Sequence, residues 1–237
     1  EDAVNCHSDL TAEHRQYFNN RGLSNDIIDN ALLGEAEVDG FKWLTIPIFD
    51  ENNRVIFFKL RRFPEEDETN PVKYRYTTGG GVSLYGVEHL KDLINEPVII
   101  TEGELDCLVL RDWGYKAVSS TGGAGAFEND WVDYFDKASV IFFAFDNDEV
   151  GTREAIKHAK LFKNKNVYIV DIPKSEGVKD ITNYRISQKT KEDFENLLKK
   201  ARKYDPNNLE FSGIEFAEAL TEFIPAQFFT TDIAFLT

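Results

Sequence analysis

The residues best suited to chemistry are acids placed at the ends of apolar runs. Glu102 closes the run Pro97-Val98-Ile99-Ile100-Thr101 and is followed by Gly103, and further on Val140-Ile141-Phe142-Phe143-Ala144-Phe145 stops at Asp146-Asn147-Asp148. Uninterrupted Val, Ile and Phe predict strands buried on both faces, and ligands of open α/β sheets collect beyond the carboxyl ends of such strands. Glu102, Asp146 and Asp148 are therefore expected at one sheet edge. Carboxylates held close repel one another unless cations stand between them, and hard oxygen donors with room for phosphates select Mg2+ or Mn2+. The pattern predicts a divalent-metal phosphoryl-transfer site. Any one of these acids alone is better explained as a helix N-cap after a strand. The Glu-Gly pair and the second acid of Asp-x-Asp favour the site. Asp106, one helical turn beyond Glu102, either points back at it or simply favours the helix dipole. Asp180 follows the polar loop 174–179, which returns to the same edge, although a surface aspartate would look no different.

A second group is basic. Lys59 and Arg61 lie two apart in an extended stretch, and Lys73-Tyr74-Arg75-Tyr76 repeats the spacing, so each pair shares a strand face. Cations interleaved with tyrosines suit a single-stranded nucleic acid, with stacked bases and paired phosphates, while solvated surface charge is the plainer explanation. The net charge of −15 argues against a general affinity for polyanions, so any such contact must lie on a local basic stripe.

The elements that must hold these residues follow from periodicity. Two short helices are expected between Thr11 and Leu33, hinged at Arg21-Gly22, with Ser24 as N-cap and Gly34 as stop. A β-hairpin is expected over 41–62 with its turn at Glu51-Asn52-Asn53. Strands ending at Glu102, Ser120, Asp146 and Val170 alternate with helices that bear Leu105, Leu108 and Val109, then Ala155, Ile156 and Ala159. This alternation predicts an α/β fold with a parallel sheet and right-handed crossovers. Leu84-Tyr85-Gly86 leads into a short helix, and helical spacing returns at Phe194, Leu197 and Leu198. The glycine loops at 79–81 and 121–126 lack the Gly-Lys-Ser/Thr ending of a phosphate loop and the spacing of a dinucleotide fingerprint. They are expected to be plain turns, which leaves a dinucleotide oxidoreductase the weakest option.

At 237 residues, 42% hydrophobic, the chain can bury a sizeable core, and it has no apolar run long enough for a bilayer. Its two cysteines, Cys6 and Cys107, have no metal-binding spacing, so no zinc site is expected in this fragment. Cys107 should be a buried small hydrophobe and Cys6-His7 exposed, in a reducing cytoplasmic setting. The start at Glu1 and the lack of methionine suggest a piece of something longer.

Glu102-Gly103 and Asp146-x-Asp148, each after a strand, resemble the Toprim fold of bacterial-type primases, topoisomerases and some nucleases. Leu44 to Asp50, Arg54-Val55-Ile56, Lys73-Tyr74 and Leu84-Tyr85-Gly86 are similar to the basic subdomain that precedes Toprim in bacterial and phage primases, and this co-linearity covers about 40–185. The resemblance implies an N-terminal helical segment (1–38), a smaller mixed α+β basic subdomain (39–92) and a Toprim-type parallel sheet flanked by helices (93–185). A helix (186–204) and a linker with an amphipathic tail (205–237) would follow, toward a missing domain. It further implies RNA-primer synthesis from nucleoside triphosphates on a single-stranded DNA template, in a bacterial cell or a phage-infected host, with no membrane attachment. Glu102, Asp106, Asp146, Asp148 and Asp180 would hold or orient two or more Mg2+ or Mn2+ ions, while Lys59, Arg61, Lys73 and Arg75 would meet template or triphosphate. The tail from Phe223 to Asp232 is similar to the connector of fused primase-helicases, which implies a replicative helicase as partner. Two features depart from the family: no zinc-binding module is present, and Thr182 stands where a further acid is common. A Toprim nuclease and a non-catalytic template-binding or helicase-tethering module are the alternatives. A topoisomerase would need a longer chain.

Overall fold

The computed structural model describes residues 2–63 and 72–206. Three short helices, α1 (Asp2–Ser8), α2 (Ala12–Asn20) and α3 (Asn25–Asn30), precede a four-stranded antiparallel sheet. Its strands β1 (Gly34–Val38), β2 (Phe41–Phe49), β3 (Val55–Arg62) and β4 (Tyr74–Tyr76) lie in sequence order. Thr11 and Ser24 cap α2 and α3 by accepting from His14 N and Ile27 N. The expected hairpin is β2–β3, and its turn is fixed by the Asp50 carboxylate, which accepts from the backbone N of Asn52 and Arg54 and pairs with the Arg54 guanidinium at 2.6 Å.

Two expectations for the amino-terminal part are corrected. Gly34 does not end a helix but opens β1, and a Cβ there would stand 2.4 Å from the Cys6 backbone, so only glycine lets α1 lie against the strand. Cys6-His7 is half-buried rather than exposed, because α1 packs on β1 and His7 Nδ1 lies 2.7 Å from the Leu33 carbonyl.

The second sheet has six strands: β5 (Leu84–Tyr85), β6 (Val98–Thr101), β7 (Lys116–Ser120), β8 (Val140–Ala144), β9 (Asn166–Ile169) and β10 (Arg202–Lys203). Their order is β10-β9-β8-β6-β7-β5. The inner four are parallel, as the β–α alternation requires, and the two edge strands are antiparallel. The helices are α4 (Glu104–Asp112), α5 (Glu149–Ala159), α6 (Ile181–Ile186) and α7 (Lys191–Lys199). The fold is thus α/β, with a smaller antiparallel sheet before the parallel one.

The register explains the unbroken apolar runs. Ile99, Phe142 and Tyr168 pack with Leu108 of α4 and with Phe194 and Leu198 of α7, whereas Ile100, Phe143 and Val167 pack on the other side with Ala155, Ala159 and Phe162. Successive strand residues point to opposite faces, and both faces are covered, so neither can be polar. Cys107 is fully buried as expected, and burial pushes its thiol up to about 12.

Leu84-Tyr85 belongs to the parallel sheet's edge rather than to the preceding subdomain, since it pairs with Ser120 and Ser119 of β7. The expected single helix over 186–204 is instead the end of α6, then α7, then β10, which closes the sheet against β9. The expected tail lies, from residue 207 onward, outside the described residues.

Candidate active site

The acids converge because β6 and β8 are parallel neighbours. Thr101 is in register with Ala144, so Glu102 and Asp146 leave adjacent strands at the same edge. Asn147 then draws in the loop before α6: its backbone N donates to Lys179 O at 2.9 Å and its Nδ2 to Val178 O at 3.0 Å and Pro173 O at 3.2 Å. That clamp delivers Asp180. Asp106 reaches the same place from the first turn of α4, and its Oδ1 accepts from Thr182 N at 2.8 Å and Thr182 Oγ1 at 2.7 Å. Thr182, the departure noted in the sequence, therefore orients Asp106.

Glycines make room for this crowding. A Cβ on Gly103 would stand 3.2 Å from Asp106 Oδ2, and one on Gly151 would stand 2.3 Å from the Asp146 carbonyl oxygen. The second distance cannot be tolerated, so Gly151→Ala must push the start of α5 away from the end of β8. Overpacking of this kind is expected to cost about 3 kcal/mol. Urea denaturation of the variant measures it, and an unchanged midpoint would show that the helix start yields freely.

The electrostatics are those of like charges removed from water. Burial, then repulsion from Glu102, Asp106 and Asp180, pushes the Asp146 carboxyl up to about 8. Burial and then Asp180 raise Asp106 to about 6 despite the Thr182 hydrogen bonds. Glu102 is also raised, by burial first and then by Asp148 and Asp180, while the Asp146 backbone N–H and Lys179 oppose the shift.

The capping alternative holds for Asp148, and Asp180, which is buried rather than on the surface, is a helix cap as well. Asp148 Oδ1 accepts from Gly151 N at 2.7 Å and Asp180 Oδ1 from Asn183 N at 2.6 Å, so each starts a helix. Among the described residues no group of three or more His, Cys, Asp or Glu side chains is arranged so that it could hold a metal ion. The donors at the edge are nonetheless all carboxylate oxygens, carrying the mutual repulsion that a hard divalent cation relieves.

The basic residues divide differently from expectation. Lys59 and Arg61 share a face of β3 with their cross-strand partners Tyr76 and Tyr74, whereas Arg75 stands opposite Leu60 and so on the other face. Lys59 is not in an open groove. It is 8% exposed, and its Nζ donates to Glu104 at 2.7 and 2.9 Å and to the Thr121 carbonyl at 2.7 Å. Arg61 is 4% exposed and lies 5.6 Å from the Tyr17 ring and 5.1 Å from that of Tyr74. Arg75 pairs with Asp39 at 2.7 Å, and Lys73 is exposed. The physical reason is the register: the face carrying Lys59 is the one that docks on the parallel sheet.

Sequence reasoning missed the partners that do this docking, Glu104 and the Thr121 carbonyl, which also accepts from Tyr76 Oη at 2.9 Å. An acid directly after Glu-Gly was the available signal. It missed Asn147 too, although an amide between two acids was in plain view.

Comparison with known proteins bears on the fold. Residues 99–185 match the family described as Toprim-like. The DNA primase of Chlamydia pneumoniae is 26% identical over 198 residues, covering 67% of this chain and 33% of that protein, so the chain spans a third of the length of this relative. Among solved structures, the primase fragment of the bacteriophage T7 primase-helicase protein is 25% identical with a TM-score of 0.61, over 75% of this chain and 72% of that one. The zinc-binding and RNA polymerase domains of Aquifex aeolicus primase give 20% identity and a TM-score of 0.66, over 82% and 57% of the two chains. The E. coli primase catalytic core gives 20% and 0.63, over 80% and 73%. Residues 99–185 are therefore similar to Toprim-like domains. The chain around them has the fold of bacterial- and phage-type primase catalytic cores.

Proposed function

We propose that this chain is the catalytic core of a DNA primase, joining nucleoside triphosphates into short RNA primers on a single-stranded DNA template. The observation that carries this reading is the meeting of Glu102, Asp106, Asp146 and Asp180 at one edge of a Toprim-like sheet, with Asp148 one residue past Asn147. Glu102, Asp146 and Asp148 would hold two or more Mg2+ or Mn2+ ions, with Asp106 and Asp180 in outer roles. When bound, such ions neutralise triphosphate charge and lower the pKa of an attacking hydroxyl. The chain's own part is mostly positioning. Glu102, whose proton affinity burial raises, would accept the proton of the primer 3′-hydroxyl or serve as a shared metal ligand. Lys73 and Arg75 offer contacts to template or triphosphate, while Lys59 and Arg61 brace the strands that present them. The T7 relative is part of a primase-helicase protein, which supports a replicative helicase as this chain's partner.

Labelled nucleoside triphosphates incubated with mixed-sequence single-stranded DNA and magnesium or manganese test the proposal. Product is expected from the intact chain and not from Asp146→Ala plus Asp148→Ala. Cleavage of labelled DNA without nucleotides would instead establish a nuclease. Failure of both, even with a zinc module or helicase supplied in trans, would leave template binding as the role.

A further inference from the structure

We propose that the outer face of α5 is a second binding track for a nucleic acid phosphate backbone, separate from β3 and β4 and contiguous with the carboxylate edge. This inference rests on the reading that the chain handles nucleic acid. Helical spacing puts Ile156 and Lys160 in one row and Arg153 and Lys157 in the next, and Lys174 faces them from the loop after β9. Together they line an open groove of about 540 Å3. Arg153 and Lys157 both engage Glu154, at 3.3 and 2.7 Å, which fixes their stems and spends part of their charge. Lys160 and Lys174 are exposed, and among the described residues neither makes an ion pair or hydrogen bond. Two unpaired ammonium groups brought to one groove repel each other, and a bound anion reverses that sign.

Direction and length favour a polymer. The groove shares Thr152 and Lys174 with a cleft of about 350 Å3 lined in part by Asp146, so the two adjoin. Asp148 and Glu149 line the inner end and repel a phosphate there, which confines anions to the outer stretch from Arg153 to Lys160, roughly 10 Å of helix. That span exceeds one phosphate group. Half-buried Ile156 gives a sugar or base an apolar surface between the cations.

The test is single-stranded DNA binding by the full chain over a range of salt concentrations, in EDTA and without nucleotides. Lys160→Ala plus Lys174→Ala should weaken binding and make the plot of log affinity against log salt shallower by about 1.4, roughly 0.7 for each lost contact on a single strand. Lys91→Ala plus Lys137→Ala removes the same charge elsewhere on the surface and should leave the slope near that of the unaltered chain. Equal slopes in the two double variants would overturn the proposal. So would displacement of inorganic tripolyphosphate, rather than DNA, as the only loss in the α5 variant, because the groove would then hold small anions alone. Because no turnover is measured, a chain that makes no primers can still show the slope change, and a chain without the track can still make primers.

Discussion

Replacing Asp146 with asparagine is expected to lower the proposed primer synthesis by about a hundred- to a thousandfold, the range for losing one preorganised electrostatic partner in a reaction centre, while making the metal-free protein more stable above neutral pH. The second half follows from the proton that the fold forces onto this carboxyl. Its pKa is raised from 3.8 to about 8. Between about pH 4 and pH 8 the unfolded chain has released this proton and the folded chain still holds it, so stability falls as pH rises through that window, and the full penalty stands above it. Asp106, raised to about 6, adds a decline of the same sign over the lower half of the range. Asparagine has no proton to lose and also relieves Glu102 of a neighbouring charge. Denaturant midpoints in EDTA at pH 4, 6 and 9 should show the variant's advantage growing from near zero to its largest value. Excess magnesium should shrink it, because a ligand that binds only the folded unaltered chain adds stability by mass action. An advantage that ignores both pH and magnesium would mean that Asp146 is not crowded by other charges.

What could be read from the sequence and what could not divide along physical lines. The parallel strands were legible because burial on both faces leaves an unbroken signature, as in Val140 to Ala144, and the acids were legible because charge ends such runs abruptly. The direction of a long side chain was not. Spacing placed Lys59 and Arg61 on one face of a strand, but only the docking of the two sheets decides that this face is closed, and that docking depends on Glu104 and a backbone carbonyl of Thr121 far away in sequence. Short edge strands were missed for a related reason. Leu84-Tyr85 and Arg202-Lys203 are too brief to show a period and become strands only because β7 and β9 offer unpaired edges. For Asp148 and Asp180 the capping hydrogen bonds leave the proposed site role open, since a carboxylate can spend one oxygen on a helix start and keep the other.

The buried pair that joins the sheets supports the other large expected effect. Glu104→Ala should destabilise the protein by about 3–5 kcal/mol, because it leaves the Lys59 ammonium in a closed interface with the Thr121 carbonyl as its remaining hydrogen-bond partner there. Lys59→Met should cost a comparable amount by stranding the Glu104 carboxylate, which is 4% exposed. Joint replacement, Lys59→Met with Glu104→Leu, should recover most of the loss, since a buried ion pair and a well-packed apolar pair of similar volume are often close in stability. The coupling from this double-mutant cycle, read from denaturant midpoints, isolates the pair from the rest of the interface. The same cycle decides what Lys59 is for. A lysine that meets template would lose DNA affinity on replacement by methionine, with little change in midpoint, and restoring stability through Glu104→Leu would not restore binding. A lysine that braces the two sheets would lose stability first, and any weakened binding would return with the double replacement. The distances favour the brace: Nζ already reaches both carboxylate oxygens and the carbonyl within 2.9 Å, so all three ammonium hydrogens have acceptors inside the fold.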